Sequence, residues 1–331
     1  MSINLPVNGK NHVVPELIRI GVLTVRPATF LAPIADITDG PFRRIVRTFG
    51  GVGAVFTEMI SSDAYTRNCE RTLHMANFSE SEHPVFFQIV GKEPERMANA
   101  AEMAEAAGAD ALDINMGCPS STITRHGSGS ALLKDLKLAE SIISAVRKRI
   151  SIPLTIKIRS GWDSRSLVFS DFGKMAEDNG VNAIFFHGRT RKEMFRDTVH
   201  YEQIALLKSQ LSIPVIGNGD ITDRETLNRM LKTGCDGIMI ARAAIKKPWI
   251  FAELLSNLQV SPGSLFPIME KQFMEITDIY PEKLALHKMK TVAGWYSRSI
   301  PGGKQLRVRL SHIHTIDDMM QLIEDFKGSI S

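Results

Sequence analysis

Gly108-Ala-Asp-Ala-Leu112, Gly180-Val-Asn-Ala-Ile184 and Gly234-Cys-Asp-Gly-Ile238 are three versions of one junction. Each sets a glycine at the end of an amphipathic stretch and then launches a short apolar run, the pattern of a helix with a C-terminal glycine handing over to a strand. The intervening runs open on His83-Pro-Val, Ser151-Ile-Pro and Ser212-Ile-Pro. Their uneven spacing marks a recurring helix-to-strand junction and no solenoid. Working outward, β-rich runs at 29–34, 54–57, 85–90, 111–115, 154–158, 183–187, 215–217 and 237–240 alternate with helical patterns such as 93–107, 136–149, 169–179 and 224–233. Alternating β and α units predict a parallel sheet, and eight of them predict a closed (β/α)8 TIM barrel. An open doubly wound sheet is the alternative. It usually carries a Gly-rich first turn, and no GxGxxG follows the first strand here.

At 331 residues, 44% hydrophobic and 23% charged, the chain can bury a full-sized core and a smaller second domain. Runs such as Ala183–Phe186 and Ile238–Ile240 are strand-length and too short to span a bilayer. The first residues lack a basic start followed by an apolar core, so a cytoplasmic protein without a signal peptide is expected. Residues 1–25 predict only a hairpin under the barrel floor. Cys69, Cys118 and Cys235 form no CxxC pair, which argues against a disulfide framework, an iron–sulfur cluster or a zinc site. The net charge of +4 is mild, but Lys283, Lys288, Lys290, Arg298, Lys304, Arg307 and Arg309 fall in a segment, 283–316, with no Asp or Glu. That run reads as a polyanion-binding surface against the plainer reading of a solvated face.

The predicted strands from the second to the eighth end on Glu58, Gln88, Asn115, Lys157, His187, Asn218 and Arg242. In a closed barrel these positions converge at one mouth, where such proteins keep their chemistry. Ile216-Gly-Asn-Gly-Asp220 after the seventh strand and Ile240-Ala-Arg-Ala-Ala244 after the eighth suit a phosphate, with Arg242 as a charged fork. Lys157 suits a cation beside a reduced flavin and equally a Schiff-base lysine. His187 has no second ligand at metal spacing, so no metal is expected. Cys118 lies in the turn of Asp113-Ile-Asn-Met-Gly-Cys-Pro119, three residues after Asn115. A thiol of ordinary pKa, about 8.5, stays protonated at neutral pH and can act as an acid, whereas a nucleophile needs a base beside it.

In these stretches the sequence resembles the bacterial tRNA-dihydrouridine synthases, most closely the B-type branch. The resemblance runs through Leu31–Arg43, Glu58–Ser62, Gln88–Gly91, Asp113–Pro119, Gly129–Leu133, Lys157–Trp162, His187–Arg191, Asn218–Thr222 and Pro248–Phe251, in order and across the whole barrel. It implies an FMN-binding barrel over residues 1–255 and a small all-helical, basic RNA-binding domain over 256–331. It also implies reduction of FMN by NADPH, hydride transfer from the flavin to C6 of uracil, and protonation of C5 by Cys118. By the same resemblance Pro33, Gln88, Lys157, His187, Asn218, Gly219, Ala241 and Arg242 contact FMN. Asn115 and Arg159 hold the uracil edge, and Lys288, Lys290 and Arg298 meet the RNA.

The implied partner is tRNA, with no DNA and no membrane, and the implied state is a monomer. A uridine in folded RNA has to be extruded to reach such a site. Three departures bear on which RNA is used. Lys290, Thr291 and Val292 stand where the family more often has Arg-Lys-His. Ser120, Ser121 and Thr122 replace basic residues after the Gly-Cys-Pro turn, and Ala241 replaces a glycine before Arg242. Two other functions remain to be weighed: a flavoenzyme of the dihydroorotate or dihydropyrimidine dehydrogenase type, for which the basic C-terminal segment has no purpose, and an RNA-binding barrel without catalysis, which would lack the cysteine or the flavin site.

Overall fold

The computed structural model describes residues 13–256 and 258–328. At its centre is a ring of parallel strands: Thr29–Leu31, Val55–Phe56, Val85–Val90, Ala111–Met116, Leu154–Arg159, Ala183–His187, Val215–Asn218 and Gly237–Ile240. The eighth strand pairs in parallel with the first, and a parallel bridge between Phe30 and Ala54 closes the first on the second. The fold is the predicted (β/α)8 barrel. Its first strand is shorter than expected: Ala32 N makes the last ladder bond, to Ile240 O at 2.9 Å, and Pro33 has no N–H to continue it. A short extra strand, Ile60–Ser61, pairs with the end of the third. The antiparallel hairpin Ile18–Ile20 and Leu23–Val25 turns at Gly21 against Pro153 and Asn182, at the entry to the fifth and sixth strands. It therefore covers the barrel floor, while residues 1–12 lie outside the described residues.

The repeated junction shows why the chain closes this way. Gly108, Gly180 and Gly234 all sit at positive φ and end their helices. Two residues on, Asp110, Asn182 and Asp236 accept the backbone N–H of Val85, Leu154 and Val215 at 2.6, 2.9 and 2.8 Å. Each of those N–H groups follows the proline that opens the neighbouring strand, so one polar side chain registers every second strand pair from its base. Glu105 and Glu177 add a second staple, each accepting from the backbone of the Ser-Ile-Pro entry that follows. Above the staples the strands are buried on both faces, as parallel strands under helices are. Phe30, Phe56, Phe86 and Phe185 fill the lumen with ring centroids 4.9 to 5.8 Å apart, making a packed base beneath the mouth.

Helices Leu265–Ile279, Glu282–Tyr296, Gly303–Leu310 and Ile316–Gly328 follow the barrel and close on their own core, which includes Phe273, Met289, Tyr296 and Phe326. Trp249 belongs to this second core, although it precedes residue 256, and meets Phe49 of the barrel edge at 5.9 Å. The barrel helix Gly40–Thr48 carries the junction between the two parts. Arg43 and Glu82 pair with both side chains fully buried, and Arg44 bridges Glu82 at 3.1 Å and Glu275 at 2.8 Å. Asp39 accepts from Tyr280 Oη at 3.0 Å and Lys288 Nζ at 2.7 Å.

Glu58, at the end of the second strand, lies behind this junction and accepts from Asp36 N. Burial first, and the Asp39 carboxylate second, raise its pKa to about 7. The protonated form is thus the one the fold favours. The resulting stability is complete below the ordinary carboxyl pKa and is lost as pH rises through about 7; the full shift corresponds to roughly 3 kcal/mol. Thermal melts from pH 5 to 8 should therefore show falling stability, and Glu58→Gln should flatten that fall. A variant with the wild-type pH profile would remove Glu58 as its source.

Candidate active site

The strand ends open into a cavity of about 710 Å³ at the barrel mouth, within the range of roughly 300–1,000 Å³ common for small-molecule sites. Pro33, Gln88, Asn115, Cys118, Lys157, Arg159, His187, Asn218, Gly219, Ala241 and Arg242 all line it. Lys288, Lys290 and Arg298 lie in the helical part and do not. Lys288 is tied to Asp39, Lys290 donates to Ile313 O, and Arg298 is exposed.

Cys118 is held from beneath by a relay of polar side chains across three strands. Thr155 Oγ1 and Gln88 Nε2 donate to the two oxygens of Asp113, both at 2.7 Å. Asn115 Nδ2 donates to Gln88 Oε1 at 2.9 Å, and Asn115 Oδ1 accepts from Gly117 N at 3.2 Å and Cys118 N at 2.8 Å. Asn115 thereby fixes the cysteine turn, with one amide hydrogen left for a ligand. From the other side Arg159 donates to Gly117 O at 3.0 Å and to Thr190 O and Met194 O at 2.9 and 2.8 Å. Burial pushes the Cys118 thiol pKa up, so it is a thiol at neutral pH. Arg159 and Lys157 pull the other way and would steady the thiolate left after the proton departs.

The remaining wall is cationic. Lys157 donates to Asn218 Oδ1 at 2.9 Å, and Asn218 returns a bond to Met239 O at 2.9 Å, locking the fifth, seventh and eighth strands together. Burial, helped by Arg159, lowers Lys157 to about 8. His187 is held well below its usual pKa by burial and the surrounding cations, so it is neutral. Arg189 Nη1 lies 3.3 Å from His187 Nε2. A guanidinium only donates, which places the imidazole proton on Nδ1. Asp220 bridges Arg189 and Arg242 and is the one carboxylate lining the cavity among the described residues. The surplus of Lys157, Arg159 and Arg242 over Asp220 suits an anionic, phosphate-bearing ligand.

Four residues of the site went unread in the sequence as participants: Asp113, Arg189, Asp220 and Phe195. The first three belong to quoted stretches, and their pairing across strands is the missing signal. Phe195 is 46% exposed, lies between Arg159 and Arg242 at 5.1 and 4.9 Å, and stacks against His187. It sits in an irregular loop where no periodicity operates.

The profile of the family described as dihydrouridine synthase matches residues 30–331. tRNA-dihydrouridine synthase B of Pseudomonas aeruginosa is 35% identical over 320 residues, spanning 94% of this chain and 96% of its own. The chain belongs to the dihydrouridine synthase family. A second relative, tRNA-dihydrouridine synthase B of Pasteurella multocida, is 35% identical over 93% of this chain and 95% of its own. The probable tRNA-dihydrouridine synthase of Rickettsia conorii is 33% identical over 95% and 97%. Solved structures share the fold at low identity. Histamine dehydrogenase from a Rhizobium species aligns with a TM-score of 0.54 at 12% identity, over 79% of this chain and 50% of that one. A variant of NCR from Zymomonas mobilis aligns with a TM-score of 0.54 at 16% identity, over 75% and 92%. No described helix is long and apolar enough to cross a membrane.

Proposed function

We propose that this member of the family reduces the C5–C6 double bond of uridines in tRNA, using FMN as its flavin and NADPH as the reductant, as a cytoplasmic monomer. The observation that carries the reading is a half-buried Cys118, protonated at neutral pH and with its backbone clamped by Asn115, at the edge of a cavity whose other wall is cationic. The residues present fit FMN. Arg242 offers a half-exposed guanidinium for a phosphate, and Lys157 and the Nδ1–H of His187 offer donors to a buried ring system. Pro33, Gln88, Asn218, Gly219 and Ala241 supply the floor and sides, and the Ala241 methyl leaves the cavity open.

Bound and reduced, the flavin supplies a hydride for C6 of uracil. Cys118 Sγ gives its proton to C5, and the thiolate regains a proton from solvent. The free Asn115 amide hydrogen and the unspent Arg159 donors orient the uracil carbonyls. Of the three cations assigned to RNA, Arg298 is free to meet a phosphate, whereas Lys288 and Lys290 brace the fold.

Anaerobic flavin reoxidation tests this. The purified protein is reduced with NADPH and mixed with unmodified tRNA, or with free uracil and orotate. Rapid reoxidation by tRNA alone is expected. Reoxidation by a free pyrimidine would transfer the chain to the small-molecule dehydrogenases, and a protein that cannot be loaded with FMN would leave only an RNA-binding barrel.

A further inference from the structure

The loops after the fourth, fifth and sixth strands carry a cluster that the chemistry above does not use. Trp162, just past the fifth strand, has Lys134 Nζ 4.3 Å and Arg191 Cζ 4.7 Å from its ring centroid. Two cations drawn to one indole repel each other, and an anion beside them would offset that repulsion. The carboxylates next door are committed elsewhere: Asp163 to Lys192 at 2.7 Å, and Glu193 to His200 at 2.9 Å. Arg191 Nε is buried with no hydrogen-bond partner among the described residues, a condition that native structures resolve with water, an ion or a ligand.

This cluster is fastened to the proton donor. Ser130 donates to Cys118 O through both N and Oγ, at 3.1 and 2.8 Å, which fixes the turn Gly129–Lys134. Arg191 N donates to Gly161 O at 2.9 Å and Lys192 N to Trp162 O at 3.0 Å, so the sixth-strand loop lies on the fifth. Arg159 joins both to the cysteine turn by donating to Gly117 O and Thr190 O. The cations therefore stand at a set place relative to Cys118. In the helical part, by contrast, Lys288, Lys290 and Arg309 are taken up by Asp39, Ile313 O and Asp325.

We propose that Lys134, Trp162 and Arg191 form a platform on the cavity rim that grips the phosphate backbone of the substrate RNA beside the extruded uridine. The platform rests on the tRNA-reductase reading and moves much of the RNA footprint from the helical part to the barrel. Trp162 holds the two cations in place, and the phosphate is the anion that they share. NADPH carries the same phosphate chemistry, so the test has to separate the two sources.

The affinity of the FMN-loaded protein for unmodified tRNA is measured by fluorescence anisotropy over a range of salt, for the wild type, Lys134→Gln/Arg191→Gln and Trp162→Phe. The double variant should bind at least about tenfold more weakly, and its plot of log affinity against log salt should be shallower by roughly one to two. Trp162→Phe keeps a ring and should fall between. Flavin reduction by NADPH should be unchanged, and flavin content and melting temperature report folding. Should the double variant fold poorly, Lys134→Glu at the exposed position carries the same expected loss. An unchanged salt slope overturns the platform, as does a defect confined to reduction by NADPH. A wild type whose reduced flavin tRNA does not reoxidise overturns the reductase reading itself, and the platform with it.

Discussion

With Cys118 replaced by Ala, unmodified tRNA reoxidises the reduced flavin about 10²- to 10⁴-fold more slowly than in the wild type, the usual contribution of a positioned general acid. Flavin loading and tRNA affinity should hold. Asn115 grips the backbone N–H groups of Gly117 and Cys118, and Arg159 grips Gly117 O, so the turn keeps its shape without the thiol. Cys118→Ser should recover little, because a hydroxyl is far too weak an acid at neutral pH. The wild-type rate should stay level through neutrality and decline only at high pH, since burial raises the thiol above its ordinary range. Rapid-mixing measurements of flavin absorbance decide the matter. A Cys118→Ala protein that turns over at the wild-type rate would sink the assignment.

The largest loss of stability is expected from Glu82→Ala. Glu82 and Arg43 are both wholly buried, and Arg43 also donates to Thr38 O and Asn77 O, each at 2.8 Å. Deleting the carboxylate strands a charged guanidinium in the interior, which costs about 3–5 kcal/mol. It also frees Arg44 from one of its two carboxylates, loosening the link to Glu275 in the helical part. Denaturant unfolding gives the number, and a loss below about 1 kcal/mol would contradict this account of the junction. Replacing Arg43 and Glu82 together by apolar residues of matching volume should be much milder than either single deletion, because no charge is then left alone.

The barrel was legible because parallel strands under helices are buried on both faces, so most strands appear as short, mainly apolar runs between helical patterns, with the polar exceptions, such as Asp113 and Lys157, turned to the site. Elements too short or too irregular for a pattern escaped: the two-residue strand Ile60–Ser61 and the helix Gly40–Thr48, whose Arg43 faces inward against expectation for its type. At the site, the polar strand ends pointed to the mouth and the cavity gathers all of them but Glu58, which lies behind the junction with the helical part. The partners that hold them in place come from other parts of the chain, as Asp113 does for Gln88 and Asp220 for Arg242. In the acid-free run 283–316, folding changes the surroundings of some cations and leaves others, such as Arg298, exposed. Lys288 and Arg309 meet carboxylates from outside it, Asp39 and Asp325. Counting charges along a chain cannot see a carboxylate delivered by folding.

The bracing of the helical part against the barrel, through Asp39, Arg44, Glu275 and the Phe49–Trp249 contact, sets the terms on which a substrate is chosen. Bracing of this kind favours a fixed mould over closure around a guest. The motion needed to bring a base to Cys118 then falls to the RNA, which has to unstack and swing a nucleotide outward. Selection among uridines is then expected to rest on how readily each local RNA structure breathes. A uridine in a loose loop should react ahead of one held in a pair, and the pace of modification should follow the melting of the RNA rather than any rearrangement of the enzyme.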